Sequence, residues 1–347
     1  MAAMEVKDFV MEDLAAGEVR VLASLDVKGA FDAAWWPSIL NGLRACGCPK
    51  NLYNLSKSYV SQRTAILSTN SVRLEREISK GCPQGSCCGP GFWNIQYNSL
   101  LNLSFKARTK AVAFADNLLL AIRGESVRAA ENYSNGELSK IEAWSKRNKI
   151  RFNEDRSKVM LVSRRKRKEP KVIKVYPNNK PLEQVTTMKY LGIIINHKFR
   201  FKEHITYAVE RCTKLIRTLS KLAKISWGIK HEAMKTIYKG AILPLLIYGA
   251  PVWIDAVKYE HYRQKYIRVQ CLINIRIAKA YYTMSSEALC ILMGMTPIII
   301  KTEEGVKQYN IRKRKGSQSH VFDNDVKLKD WPHPADAVKI TVQLYLG

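Results

Sequence analysis

Apolar positions in the first two hundred residues come in two kinds, short runs of strand type and longer stretches spaced as on a helix. That mixture is what an α+β fold produces. "VRVLASLD" (19–26) reads as a short buried strand ending on an acid. Pro37 suits the first turn of a helix over 37–47 and Gly47 its stop; a second helix follows over 49–60. Residues 64–81 read as two strands about the turn "STNS". "GCPQGSCCGPG" (81–91) holds four glycines and two prolines and reads as a loop, with a helix over 92–103 behind it. Next come a strand pair over 111–122, a helix over 129–148 despite Gly136, and strands at 157–163 and 188–196. From 203 to about 290 the spacing is helical. Ile205, Val209, Cys212, Ile216 and Leu219 mark one face there, while Arg211, Lys214, Arg217, Lys221 and Lys224 fall largely on others. The run 164–174, "RRKRKEPKVIK", reads as a mobile basic loop, and the polar, proline-punctuated stretch 311–339 as a loosely ordered tail.

One feature breaks the apolar pattern. In "AVAFADNLLLAI" (111–122) the run is interrupted at its midpoint by Asp116 and Asn117. A hairpin turn accounts for this, since Asp and Asn tolerate positive φ; so does a ligand site, since acids seldom sit inside apolar runs without a partner. A second apolar strand, "VLASLD", also ends on a carboxylate, Asp26. Brought together, the two acids would repel unless a cation offset them. Oxygen ligands alone suit Mg²⁺, which keeps waters and takes substrate phosphates as further ligands. Two such ions about 3.5–4 Å apart serve in-line phosphoryl displacement.

Charge sharpens the picture. The chain of 347 residues carries a formal net charge of +27, which calls for a polyanionic partner. Residues 1–100 hold 10 Lys/Arg against 9 Asp/Glu, whereas 151–250 hold 23 against 7. The basic surface therefore belongs to the middle of the chain. No apolar stretch suits a membrane span, and the N-terminus has no basic-then-apolar signal. The expected location is the nucleus or cytoplasm, with no membrane partner. The eight cysteines lack paired C-x-x-C spacing and read as free thiols, zinc at Cys46/Cys48 or Cys82/Cys87/Cys88 being the alternative.

Five segments, in order, resemble the palm motifs of reverse transcriptases: "LDVKGAFD" (25–32), "KGCPQGS" (80–86), "FADN" (114–117), "SKVMLVS" (157–163) and "KYLGI" (189–193). "AILPLLIYGAPVW" (241–253) and "AYYTMSSEALCILMGMTPI" (280–298) are similar to the thumb and post-thumb region of non-LTR retrotransposon enzymes. The resemblance runs from about residue 15 to about 300. It implies a palm of split βαβ type, a three- or four-stranded antiparallel sheet backed by helices, followed by a helical thumb. The expected division is 1–200 palm with a partial fingers remnant, 201–300 thumb and post-thumb, and 301–347 tail.

By the same resemblance Asp26 and Asp116 would hold magnesium, with Mn²⁺ as the alternative ion, helped by the Val27 carbonyl. Phe31 would be the gate against a ribose 2′-hydroxyl, unless it is simply core. Gln84 and Gly85 would line the incoming nucleotide, and "KYLGI" would grip the primer. Lys158 would be a general acid near the leaving pyrophosphate, a surface lysine being the alternative. Arg211, Lys214, Arg217 and Lys221 would follow duplex phosphates, which give affinity without sequence choice. The implied partners are an RNA template, a DNA primer and deoxynucleoside triphosphates.

Two departures stand out. Where the family has two consecutive aspartates, this chain has Asp116 followed by Asn117, which removes one negative charge from the metal site. Only about 25 residues precede Asp26, so a truncated copy without fingers is expected. The alternatives are a non-catalytic nucleic-acid-binding remnant and an interaction protein that only keeps the fold.

Overall fold

In a computed structural model of the chain, residues 2–12, 18–163, 172–177, 180–222 and 231–318 are described. The chain forms two compact units, Met1–Met188 and Lys189–Gly347.

The first unit runs α1 (Ala2–Met11), β1 (Val19–Val27), α2 (Ala30–Ala33), α3 (Trp36–Ala45), α4 (Lys50–Tyr59), β2 (Arg63–Ser68), β3 (Arg73–Ile78) and α5 (Gly89–Leu101). It continues with β4 (Thr109–Phe114), β5 (Asn117–Gly124), α6 (Val127–Asn148), β6 (Phe152–Val162) and β7 (Glu183–Gln184). Strands β4-β5-β1-β6-β7 form one sheet in that order, and β2 and β3 a separate hairpin. The sheet thus has five strands rather than three or four. The extra edge is the two-residue β7, parallel to β6, while the other pairings are antiparallel.

The alternation along β1 decides where the core lies, because successive side chains point to opposite faces. Val19, Val21, Ala23, Leu25 and Val27 join Leu118, Leu120 and Ile122 of β5 in a core with Trp93 and Tyr97 of α5 and Leu138, Ile141 and Trp144 of α6. Buried polar groups tie those helices together. Gln96 Oε1 accepts from Trp35 N at 2.9 Å, its Nε2 donates to Asn148 O at 3.1 Å, and Ser38 Oγ donates to Asn148 Oδ1 at 2.7 Å. Ser126 caps α6 by accepting from Ala129 N at 3.1 Å. On the opposite face Arg20 lies directly across from Arg123. That like-charge pair is offset by Glu18, 2.9 Å from Arg20, and by Glu12 against Arg123, whose guanidinium also covers the Phe9 ring of α1 at 4.1 Å.

Three further differences have local causes. The glycine-proline stretch read as loop through 91 gives way to α5 at Gly89, because first-turn amides need no intrahelical partner and Pro is tolerated there. The single strand read over 188–196 is a hairpin of β8 (Thr187–Tyr190) and β9 (Ile193–Asn196), broken at Leu191 and Gly192, with φ of 47° and 79°. The tail read from 311 continues α13 (Ile298–Gln318) to its end; residues 319–347, like 164–171 of the basic loop, lie outside the described residues.

The second unit is helical. After β9 come α7 (Lys202–Leu222), α8 (His231–Ile237), a π-turn Tyr238–Ile242, α9 (Leu243–Ile247), α10 (Ala250–Trp253), a 3₁₀ turn Ile254–Lys258, α11 (Glu260–Ala278), α12 (Ser286–Met293) and α13. Ile205, Cys212 and Ile216 are buried on α7 as their spacing requires, in a unit whose core includes Trp253, Tyr266 and Ile273. Buried Gln270 satisfies three groups at once: it accepts from Ile298 N and donates to Thr296 O and the Tyr238 hydroxyl. No single helix among the described residues is long and apolar enough to cross a membrane; the bent pair His231–Ile247 and Ala250–Lys258 passes on length and composition only jointly.

Candidate active site

Asp26 stands one residue from the end of β1, directly opposite Asn117, the first residue of β5. Cross-strand partners share a face, so both side chains lie on the sheet face away from the α5–α6 core. A two-residue turn, Ala115–Asp116, joins β4 to β5, and Val27 N donates to Asp116 O at 3.1 Å. Two acids distant in sequence therefore meet at one end of the sheet. Asp26 is titrated upward from its ordinary value, first by burial and then by the charge of Asp116; Arg156, whose Nη1 is 3.8 Å from Asp26 Oδ2, partly opposes this.

The sign of that shift makes a prediction. Native Asp26 holds its proton to higher pH than the unfolded chain does, so its ionisation lowers stability as pH rises from the ordinary carboxylate range through the raised value. Asp26→Asn is expected to raise the unfolding midpoint at pH 7 and to flatten its decline above the ordinary carboxylate range, read by thermal melts in chelator. An unchanged midpoint and slope would contradict it.

The turn does not use its polar residues as expected. Asp and Asn were the candidates for positive φ, yet the left-handed residue is Ala115, at φ 53°, and neither Asp116 nor Asn117 has positive φ. The acid is therefore not there to make the bend. An alanine in this region is strained, and Ala115→Gly should stabilise the unit by about 0.5–1 kcal/mol, less than the full strain because glycine also frees the unfolded chain. Urea unfolding measures this, and a destabilised variant would refute it. The strained residue is held from below: Trp93 Nε1 donates to Ala115 O at 2.9 Å, and the Trp93 ring stacks on Tyr97 at 5.0 Å.

Phe31 is half-buried, with its ring 6.4 Å from Trp93, so it joins the core edge while lying on the segment that follows Asp26. The loop 79–88 is pinned to that segment. Cys82 N donates to Phe31 O at 2.8 Å, Gly81 N to Ala34 O at 2.7 Å, and Trp36 Nε1 to Gly81 O at 2.8 Å. Gln84 and Gly85 are exposed on it. Gly85 has φ 88°, and no protein atom lies within 4 Å of where a Cβ would sit, so the turn requires glycine while approach from outside stays open.

Lys158 lies opposite Ser24, on the same face as Asp26, with Nζ 3.6 Å from Glu183 of β7. The cation beside Asp26 is instead Arg156, which no motif in the sequence marks. Only the register reveals it, because β6 bulges between its partners of Ser24 and Asp26. A cleft of about 1280 Å³ opens beside Lys28 and Asn153; its lining has five cations, including Lys80 and Arg151, against four acids, too even a balance to select an anion. In the second unit Arg211, Lys214 and Arg217 are exposed on α7, with Arg211 Nη1 donating to the Tyr207 hydroxyl at 3.1 Å; the side chain of Lys221 lies outside the described residues.

As a cation site, the residues fit. Two oxygen-donor carboxylates repel each other, one is partly desolvated, and the nearby guanidinium is itself mostly exposed. A hard divalent ion with water and substrate oxygens completing its shell suits such a pair. Among the described residues no group of three or more His, Cys, Asp or Glu side chains is arranged to hold a metal ion. Asn117 turns a donor toward this pair: its Nδ2 lies 3.1 Å from Asp116 Oδ1.

Residues 6–195 match the family model described as reverse transcriptase (RNA-dependent DNA polymerase). The chain is 29% identical over 309 residues to a putative 115 kDa protein in the type-1 retrotransposable element R1DM of Drosophila melanogaster, covering 88% of this chain and 30% of that protein. It is 26% identical over 288 residues to the RNA-directed DNA polymerase from mobile element jockey of the same species, covering 80% and 30%. It thus spans under a third of the length of these relatives. Among solved structures, a telomerase from Candida albicans in complex with a fragment of telomeric RNA aligns over 92% of this chain and 53% of its own at 13% identity and a TM-score of 0.39.

Proposed function

The chain belongs to the reverse transcriptase (RNA-dependent DNA polymerase) family, among non-LTR retrotransposon relatives, and on that premise we propose that it is a nucleotidyl-transfer domain that binds an RNA template and a DNA primer. The observation that carries this reading is the meeting of Asp26 and Asp116 at one end of the sheet, where Asp26 pairs across the strands with Asn117, the residue after Asp116, and feels the charge of Asp116.

Asp26, the Val27 carbonyl and Asp116 would hold divalent ions, Mg²⁺ or alternatively Mn²⁺, from one side. When bound, such ions stabilise charge on the transferring phosphoryl group and activate the attacking hydroxyl. Phe31, held against Trp93, presents bulk on the segment after Asp26 and would exclude a 2′-hydroxyl, selecting deoxynucleoside triphosphates. Gln84 and Gly85 would contact the nucleotide from a loop anchored to Phe31's own backbone. Lys158 lies on the same face of the sheet as Asp26 and would serve as the general acid near the leaving pyrophosphate. Arg211, Lys214, Arg217 and Lys221 would neutralise phosphates along the duplex.

A second reading, binding without turnover, has an observation of its own: Asn117 replaces a charge and directs an amide at the remaining ligand oxygen. Primer extension on a homopolymer RNA with Mg²⁺ and then Mn²⁺, alongside filter binding across salt, separates the two. Polymerisation that Asp116→Ala abolishes supports the first; binding with a steep salt slope and no extension in either ion supports the second. Each phosphate contact contributes a slope of roughly −0.7 to −0.9 in log affinity against log salt. Arg217→Ala should reduce the slope by about one contact; a flat response would leave neither reading standing.

A further inference from the structure

We propose that Ser157 is a positioning residue for Asp26, standing in for a backbone carbonyl that the sheet fails to supply. The inference rests on the metal-site reading above. From Arg20 to Ser24 the pairing of β1 with β6 is regular, ending with Ser24 opposite Lys158; it resumes with Asp26 opposite Asn153. Residues 154–157 are therefore looped out against Leu25 alone. In an unbroken antiparallel ladder backbone donors face backbone acceptors. At the break, Asp26 N donates instead to Ser157 Oγ at 3.1 Å, and that hydroxyl donates onward to Asn153 O at 2.7 Å. Ser157 is 1% exposed, so its hydroxyl is shielded from solvent. The looped residues are also held from outside: Lys180 Nζ lies 3.1 Å from Asp155 and 3.7 Å from Glu154.

The consequence concerns aim. A bulge redirects side chains, and here it brings Arg156 to the carboxylate of Asp26 while Ser157 fixes the backbone beneath it. Groups that orient a ligand without touching the ion change metal affinity by roughly 10–100-fold when removed. Loss of this hydroxyl would free the Asp26 peptide at the one point where the ladder does not hold it.

The test uses Mn²⁺ alone as probe, titrated by electron paramagnetic resonance into the full chain. Amide exchange at Asp26 is read in parallel. Ser157→Ala is expected to weaken Mn²⁺ binding about tenfold or more and to accelerate exchange at Asp26, while Ser157→Thr, which keeps a hydroxyl, preserves both. Leu138→Ala, a core truncation in α6, controls for general destabilisation and should lower the unfolding midpoint without weakening Mn²⁺. Equal Mn²⁺ affinity in Ser157→Ala and the native chain, or weakening in Leu138→Ala as large as in Ser157→Ala, would overturn the inference. If instead Asp26→Ala binds Mn²⁺ as the native chain does, the metal-site reading itself falls; the exchange rates still report whether Ser157 holds the peptide.

Discussion

Asn117→Asp is expected to raise primer extension by the purified chain about 10–100-fold, and its Mn²⁺ affinity by a similar factor. The argument is positional. Asn117 is the direct cross-strand partner of Asp26 and the sequence neighbour of Asp116, so an aspartate there places a third carboxylate between the two already present. It also removes the amide that lies 3.1 Å from Asp116 Oδ1, returning that oxygen to a ligand. The same change carries a cost. Like charges directly opposite on a sheet destabilise it by up to about 1 kcal/mol, and Asp26 is already disfavoured as an anion by burial and by Asp116. Without divalent ions the variant should therefore melt below the native chain, and with millimolar Mn²⁺ it should recover or exceed it. Extension rates equal in the two proteins, together with equal melting in chelator and in metal, would show that position 117 has no part in the site.

The largest loss of stability is expected at Trp93. Truncation of a fully buried tryptophan costs about 3–5 kcal/mol through lost transfer energy and the cavity left behind. Trp93 is 1% exposed, stacks on Tyr97, and lies beside Phe31. Against a total of about 5–15 kcal/mol for a domain of ordinary stability, Trp93→Ala should leave the first unit marginal. Trp93→Phe separates packing from the hydrogen bond: it retains most of the ring but loses the donor to Ala115 O, for about 1–2 kcal/mol. Urea midpoints of the two variants measure both. A Trp93→Ala cost below that of Trp93→Phe would contradict the placement. Because Ala115 precedes Asp116, Trp93→Phe should also weaken Mn²⁺ binding more than its stability loss alone would, as the left-handed alanine loses its restraint.

Much of this architecture was legible along the chain, for reasons that differ by element. β1 and β5 were visible because both are buried on two faces near the sheet centre, so nearly every position is apolar and any acid stands out. The first turn of α3 and the long α6 carry ordinary helix signals, and the α7 face of Ile205, Cys212 and Ile216 is buried as its spacing required. The hairpin at β8 and β9 was not visible. Its turn residues, Leu191 and Gly192, sit inside a run whose apolar character is continuous, and nothing in composition marks a leucine that adopts positive φ. The same holds at Ala115. Asp116 and Asn117 look like turn formers, whereas the strain falls on the unremarkable residue before them. Arg156 and Ser157 were hidden for another reason: their importance comes from where β6 loses register with β1, and a strand's register is set by its partner.

Sequence alone determined the inventory: which segments bury apolar surface, which two strand ends carry acids, where cations concentrate, and that residue 117 is an amide. These are properties of one residue or of a short window, and side-chain chemistry fixes them before folding. Tertiary structure decided the relations. It set Asp26 opposite Asn117, put the left-handed conformation on Ala115, directed Lys158 toward Glu183 and Arg156 toward Asp26, and left the Asp26 amide to a serine hydroxyl. Such relations depend on pairing between segments far apart in the chain, and the free energy that selects one pairing is summed over the whole sheet and its covering helices rather than held by any residue in it.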